Sequence, residues 1–179
     1  MKKLYSFLKI SMVLIAIVST YHSYAISSKK DSILLVGKIF NNEERVKDVV
    51  INVFDHNLKI KTIKVKSSNF VRTYLPKNTI LTIEITAPNF HDKRFMFDSH
   101  VPDKLTKLPG YEFDMDIFSI EELSGVNTSL LDFPVGLVKY NSKKKIFIRD
   151  KDYTKRMKKL YFQLLEEAQM SERGTLKDD

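Results

Sequence analysis

The sequence predicts a mainly β protein, in which two packed antiparallel sheets form a sandwich and a β-hairpin and an amphipathic helix follow. Seven short segments between residues 33 and 118 are rich in β-branched and aromatic residues, and polar turns separate them. Most of these segments alternate apolar and polar residues, which is the period of a half-buried strand. After residue 150 the apolar residues instead recur at helical spacing.

The two most regular strands are predicted at residues 80–87 and 111–118. Apolar residues occupy every second position there, so one face of each strand must be buried. We expect six of these side chains to share one core: Leu81, Ile83, Ile85, Tyr111, Phe113 and Met115. The other strands are predicted at residues 33–40, 46–54, 58–66, 70–75 and 93–98. Between Ile60 and Ile63 the apolar face shifts, which predicts a β-bulge near Thr62.

A hairpin and a helix are predicted at residues 133–170. Residues 135–140 and 145–149 flank a polar turn, as the strands of a hairpin do. The helix is indicated by an apolar stripe at Tyr153, Met157, Leu160, Tyr161, Leu164 and Ala168. Asp150 or Asp152 is suited to its N-cap. Because an isolated helix is marginal in water, we expect the stripe to dock on the sandwich or the hairpin.

The remaining segments carry weaker patterns. Residues 26–32 form a polar lead-in, and residues 119–132 predict a linker without regular structure. Residues 171–179 are polar and contain Gly174, which indicates a flexible tail.

Residues 1–25 have the three parts of a secretory signal peptide in the right order. Two lysines follow Met1, residues 10–18 are apolar except for Ser11, and Ser23 and Ala25 are small residues at the positions that a signal peptidase reads. The alternative is an uncleaved anchor, but a spanning helix needs about 20 apolar residues. We therefore expect cleavage after Ala25 and a mature chain in the periplasm or outside the cell, without a transmembrane segment.

Composition excludes several classes of site. The chain has no cysteine, which excludes disulfides, thiolate metal sites and the lipid-bearing cysteine of a lipoprotein. Its net charge is +8, and removal of a leader with three lysines and no acid leaves +5. Such an excess is compatible with an anionic partner and also with an ordinary soluble domain.

The order of several short motifs resembles the carboxypeptidase regulatory-like, or transthyretin-like, β-sandwich of exported Bacteroidetes proteins. The resemblance covers residues 34–98. Its motifs are Val36-Gly37-Lys38-Ile39-Phe40, residues 46–53, Asn69-Phe70, Leu75-Pro76 before the alternating residues 82–85, and Asn89-Phe90 before residues 93–98. Asn69 and Asn89 stand where the family commonly has glycine, and asparagine is the best substitute where φ is positive. The resemblance implies an Ig-like sandwich that serves as a non-catalytic accessory module.

Two groups of acidic and histidine residues favour solvated surfaces over reactive sites. One loop holds three potential metal ligands, namely Asp98, His100 and Asp103. It lacks the glycine and carboxylate register of a calcium loop. One face of a strand carries Glu112, Asp114 and Asp116. A solvent-facing row of like charges does not supply the unequal environments that acid–base catalysis needs. We predict no catalytic residue, no metal and no cofactor.

Residues 143–159 contain nine basic residues and only two acids. Phe162 lies almost opposite the apolar stripe of the predicted helix, at 100° per residue. The candidate partner-binding residues are Lys143, Lys144, Lys145, Arg149, Lys155, Arg156, Lys158, Lys159 and Phe162. One interpretation is a solvated basic face with a stray aromatic residue. The other is a docking surface for a protein or an anionic glycan or lipid of the envelope, whereas export argues against nucleic acid.

These observations favour a non-catalytic binding or assembly module of the bacterial cell envelope. The alternative is an envelope hydrolase with an unrecognised active site. A concave pocket with convergent polar groups would indicate the enzyme. An exposed apolar or charged patch would indicate the module.

Overall fold

Ten strands and one long helix make up the regular structure of the described residues, in a computed structural model that describes residues 31–65, 70–105 and 107–175. The strands are β1 (Ser32–Asn41), β2 (Glu44–Arg45), β3 (Val50–Asp55), β4 (Leu58–Lys64), β5 (Val71–Pro76), β6 (Ile80–Thr86), β7 (Lys93–Asp98), β8 (Tyr111–Asp116), β9 (Leu137–Asn141) and β10 (Ile146–Arg149). A short 3₁₀ helix spans Thr128–Asp132, and α1 spans Lys151–Thr175. The protein is thus mainly β with a C-terminal helix, and it has more strands than the seven predicted for the sandwich.

The strands form two sheets. In the first sheet, β1 pairs with β2, β5 and β8. The second sheet has the order β10-β9-β7-β6-β3-β4. The prediction of purely antiparallel sheets is wrong, because β8 pairs with β1 and β9 pairs with β7 in parallel. Parallel neighbours need long crossover connections, and such pairs cannot be read from local turns.

One core fills the space between the two sheets. The six side chains expected to share it are all buried in one apolar cluster, which confirms the predicted phase of β6 and β8. Aromatic rings from both sheets meet there, with Phe95 of β7 lying 5.1 Å from Phe113 of β8 between ring centroids. Phe147 of β10 extends the cluster at 4.8 Å from Phe97. The arrangement is that of a β-sandwich.

Two details of the third and fourth strands differ from prediction. The strand predicted at residues 46–54 begins only at Val50, since Asp48 has a φ of +54° that interrupts extended backbone. In the β3–β4 ladder, Val53 pairs with Lys61 and Phe54 pairs with Lys59. The unpaired residue is therefore Ile60, and the bulge lies two residues before the predicted position.

The backbone geometry explains the residue type at two positions within the motifs described above. A Cβ atom at Gly37 would overlap the ring of Phe113, so only glycine fits where β1 and β8 pack. Asn89 has a φ of +65°, so the positive φ expected at this asparagine is present. Asn69 lies outside the described residues.

The C-terminal hairpin and helix form as expected, with different bounds. Strands β9 and β10 pair antiparallel. Lys145 has a φ of +56° and belongs to the turn. The Asp150 carboxylate accepts a hydrogen bond from the Tyr153 N–H at 3.1 Å, which makes Asp150 the N-cap. The helix continues to Thr175, beyond the end predicted at residue 170.

A second apolar core lies beneath α1. Its buried members are Leu123, Leu131, Met157, Tyr161, Leu164 and Ala168. The segment predicted as a linker therefore supplies part of the surface on which the helix docks. Val135 packs against both cores and connects this surface to the sandwich. Leu160 is 39 % exposed, so its assignment to the docked stripe is wrong.

Candidate functional site

The basic run of residues 143–159 does not form one continuous patch. Lys143, Lys144 and Lys145 lie in the exposed turn between β9 and β10. Strand β10 then leads away from that turn to the start of α1. Its five residue steps of about 3.3 Å separate Lys145 from Asp150 by roughly 16 Å, which exceeds the Debye length at physiological salt. The turn and the helix are therefore distinct basic surfaces.

Arg149 is engaged within the fold. Its Nε donates to the Tyr111 hydroxyl at 3.0 Å, and its Nη2 donates to the main-chain oxygen of Asp114 at 3.3 Å. Lys61 of the second sheet makes a similar bond: its Nζ donates to the main-chain oxygen of Tyr74 in β5 at 3.1 Å. Basic side chains thus cover carbonyl groups at both lateral edges of the first sheet, where an unpaired strand edge would otherwise attract another strand.

The basic flank of α1, defined here as Lys155, Arg156, Lys158 and Lys159, is exposed along its whole length. Within the described part of the chain, none of the four forms an ion pair. Two of them lie over rings of the same helix: the Arg156 guanidinium is 5.8 Å from the Tyr153 ring centroid, and Lys158 Nζ is 5.5 Å from that of Phe162. The flank is open to a partner.

A groove lies between α1 and the adjoining end of the sandwich. We call it the helix groove, and its volume is about 280 Å³. Its lining is Lys93, Met115, Asp116, Phe118, Val135, Thr154, Met157, Lys158, Tyr161, Phe162 and Leu165. Phe162 stands at this groove with 54 % of its surface exposed. The groove brings Lys158 and Phe162 together and leaves the turn lysines outside it.

Lys93 is a partly buried basic residue in the lining of the helix groove. Its Nζ donates to the main-chain oxygen of Asp116 and lies 4.9 Å from the Phe118 ring centroid and 4.8 Å from that of Tyr161. Burial lowers the pKa of Lys93 to about 8, against a smaller opposing effect of Asp116. Since a charged amine is poorly solvated there, the fold holds this ammonium at a free-energy cost.

Tyr161 forms another wall of the groove and is only 7 % exposed. Its hydroxyl has no hydrogen-bond partner among the residues that the structure describes. Burial raises the pKa of Tyr161, with a smaller effect from Tyr153, so the hydroxyl keeps its proton and remains a donor.

The acidic groups considered in the sequence are not assembled into a metal site. Asp98 and His100 pair with each other, with His100 Nδ1 2.6 Å from Asp98 Oδ1, and Asp103 is exposed. Within residues 31–65, 70–105 and 107–175, no three histidine or acidic side chains come together in a metal-binding group. The side chains of Glu112 and Asp114 are exposed on β8, and that of Asp116 lines the helix groove.

Sequence reasoning did not identify Lys93, although the sequence contains a signal for it. Lys93 is in phase with Phe95 and Phe97, which are buried members of the same strand. A lysine on the inward face of a predicted strand is unusual, because lysine is almost never buried without a partner. What the pattern could not indicate is that α1 and Phe118 would cover it.

Comparisons with known proteins leave the family open. The chain matches no known family, and no curated protein matches it. The solved structure of S.CueP is similar over 50 % of this chain and 64 % of its own, with a TM-score of 0.35 and 10 % identity. Chlorocatechol 1,2-dioxygenase from Pseudomonas putida is similar over 50 % of this chain and 61 % of its own, with a TM-score of 0.29 and 13 % identity. The chain thus spans less than two thirds of either protein. In the described part of this chain, no helix is long and apolar enough to span a membrane.

Proposed function

We propose that the protein is an exported, non-catalytic binding module of the bacterial cell envelope. In this proposal the basic flank of α1 recognises an anionic component of that envelope. The observation that carries it is the exposure of four bases on one helix without an acidic partner among the described residues. Resemblance to carboxypeptidase regulatory-like domains belongs to the same proposal, and the positive φ of Asn89 supports it.

The position of the bases also supports a role in binding. They lie in the first half of α1, whereas Glu166 and Glu167 lie in the second half. The helix dipole favours acids near the N-terminus and bases near the C-terminus, chiefly within the terminal turns, so it does not stabilise this order. Helix stability therefore does not account for the placement of these charges.

Export is expected to remove residues 1–25, so that the mature chain begins at Ile26. Residues 1–30 lie outside the described residues, and the prediction rests on the leader's basic, apolar and small-residue order. N-terminal sequencing of protein from the native envelope would test it. Replacing Ala25 with leucine should block cleavage and serves as the control. Wild-type protein that keeps Met1 and sediments with membranes would contradict the prediction.

Binding to an anionic surface should require the basic flank. We expect the purified protein to bind vesicles of phosphatidylcholine and phosphatidylglycerol, and vesicles of phosphatidylcholine alone much more weakly. Binding should weaken steeply as the Debye length falls from about 10 Å to about 3 Å with added salt. Immobilised dextran sulfate provides a second probe, which distinguishes a preference for lipid from one for an anionic glycan.

The test variant replaces Lys155, Arg156, Lys158 and Lys159 with glutamine. A matched control loses four exposed lysines elsewhere, namely Lys47, Lys64, Lys104 and Lys107. Both variants lose the same net charge. Binding that depends on a localised site should therefore weaken in the first variant and persist in the second. Each exposed substitution should change stability by less than about 0.5 kcal/mol. Equal weakening of binding in both variants would mean that net charge, and not the basic flank, determines binding, and it would contradict the proposal.

A further inference from the structure

The helix groove combines apolar walls with two ammonium groups. Met115, Phe118 and Phe162 provide apolar surface, and Lys93 and Lys158 provide the positive charges. Asp116 is the acid of the lining, so the groove has a net charge of +1. This combination suits a ligand with an apolar body and a single negative charge. A doubly charged phosphate ester would exceed the compensating charge.

Lys93 has hydrogen-bonding capacity to spare. An ammonium carries three donors, and in the described structure one of them reaches the Asp116 main-chain oxygen. No carboxylate lies within ion-pair distance of Lys93 among the described residues. Charge-assisted hydrogen bonds to a carboxylate are among the strong ones in proteins. Lys93 is therefore placed to pair with the head group of a ligand whose body lies on the adjacent rings.

Tyr161 provides a second, independent indication of a ligand in the helix groove. Its side chain is more than nine-tenths buried in the groove wall, and its hydroxyl has no partner among the described residues. Buried hydroxyls normally have a hydrogen-bond partner. A ligand oxygen beside Lys93 would lie near the same ring, since Lys93 Nζ is 4.8 Å from its centroid.

We propose that the helix groove binds a small amphipathic monocarboxylate, with its head group on Lys93 and its apolar body against Phe118 and Phe162. The groove volume of about 280 Å³ sets the size of the ligand. A cavity of about 150 Å³ accommodates benzene, so the groove takes a body of roughly ten non-hydrogen atoms. Octanoate has this size and charge. The inference extends the proposed function from the outer flank of α1 to a second, chemically different site.

Isothermal titration of the mature protein with octanoate tests the site, with octanol and octylamine as the neutral and cationic counterparts. We expect saturable octanoate binding, with weaker binding of octanol and none of octylamine. Lys93→Met keeps the length and apolar character of the side chain and should weaken octanoate binding about tenfold or more, because a hydrogen bond to a charged group is lost. Lys144→Met makes the same change in the remote turn and should leave affinity unchanged.

Two further variants separate this inference from the proposed function. Phe162→Ala keeps Lys93 and should weaken octanoate and octanol together. Replacing Lys155, Arg156 and Lys159 with glutamine, while Lys158 is kept, should reduce vesicle binding and leave octanoate affinity unchanged. The inference is overturned if octanoate does not bind, if octanol binds as tightly, or if Lys93→Met binds octanoate like the wild type. A failure of vesicle binding alone would overturn the proposed function and leave the groove site standing.

Discussion

Replacing Ile83 with alanine is expected to lower the free energy of unfolding by about 2–5 kcal/mol. Ile83 is completely buried in the middle of β6. It pairs with Val53 on one side and with Phe95 on the other, so its side chain lies at the centre of the core between the sheets. Removing three carbon atoms there leaves a cavity that neighbouring strands cannot fill, and the transfer and cavity effects add.

Urea unfolding followed by circular dichroism measures this loss. The matched control is Ile80→Ala in the same strand, since Ile80 is 43 % exposed. The control should lose less than about 1 kcal/mol, which is the range of strand preference at an exposed site. If Ile83→Ala lost less than about 0.5 kcal/mol, as an ordinary surface substitution does, the inward phase of β6 would be wrong.

Lys93→Met is expected to raise the free energy of unfolding at neutral pH by about 1–3 kcal/mol. Burial lowers the pKa of Lys93 from 10.5 to about 8. Each pKa unit corresponds to about 1.36 kcal/mol, so the charged form is disfavoured in the folded state by roughly 3 kcal/mol. Methionine avoids this cost and keeps the apolar contacts of the side chain. It also loses the hydrogen bond to the Asp116 main chain, which reduces the gain.

The gain should depend on pH with a defined sign. Below about pH 8, Lys93 is protonated in both the folded and the unfolded protein, and the full cost applies. Between about pH 8 and pH 10.5, the unfolded chain binds more protons than the folded one, so wild-type stability from this group rises with pH. The advantage of Lys93→Met should therefore shrink across this interval and vanish above it.

Paired urea titrations of wild type and variant at about pH 7 and about pH 10 isolate this dependence, because other titrating groups cancel in the difference. Lys144→Met is the control and should show no such dependence, since Lys144 is exposed. A Lys93→Met variant that is less stable than wild type at about pH 7 would show that the ammonium stabilises the fold. The helix groove would then be a packed junction rather than a site held at a cost in stability.

Together, the two consequences expected for Lys93→Met connect stability and function. Residues that bind ligands are often less favourable for the fold than the best alternative, and replacing them trades function for stability. A variant that is more stable and has lost octanoate affinity would show this trade at one position. The same variant with higher stability and unchanged affinity would leave Lys93 without a role in binding.

Local pattern determined most of the strand phases and the elements of the C-terminal part. Alternation along β6 and β8 was enough to assign Ile83 and Phe113 to the core, because successive side chains on a strand point to opposite faces. Helical spacing located α1, and Asp150 capped it as its side-chain chemistry predicts. Asn89 took the positive φ that its small polar side chain tolerates. Each of these features depends on neighbours in the chain.

The tertiary structure alone decided which distant segments meet. The parallel pairings of β1 with β8 and of β7 with β9 join strands that are far apart in the chain, and alternation has no information on partners. Leu123 and Leu131 became part of a core only because α1 lies over them. Likewise, the ammonium of Lys93 lies in a groove because Phe118 and Tyr161 close around it, and its pKa falls through that burial.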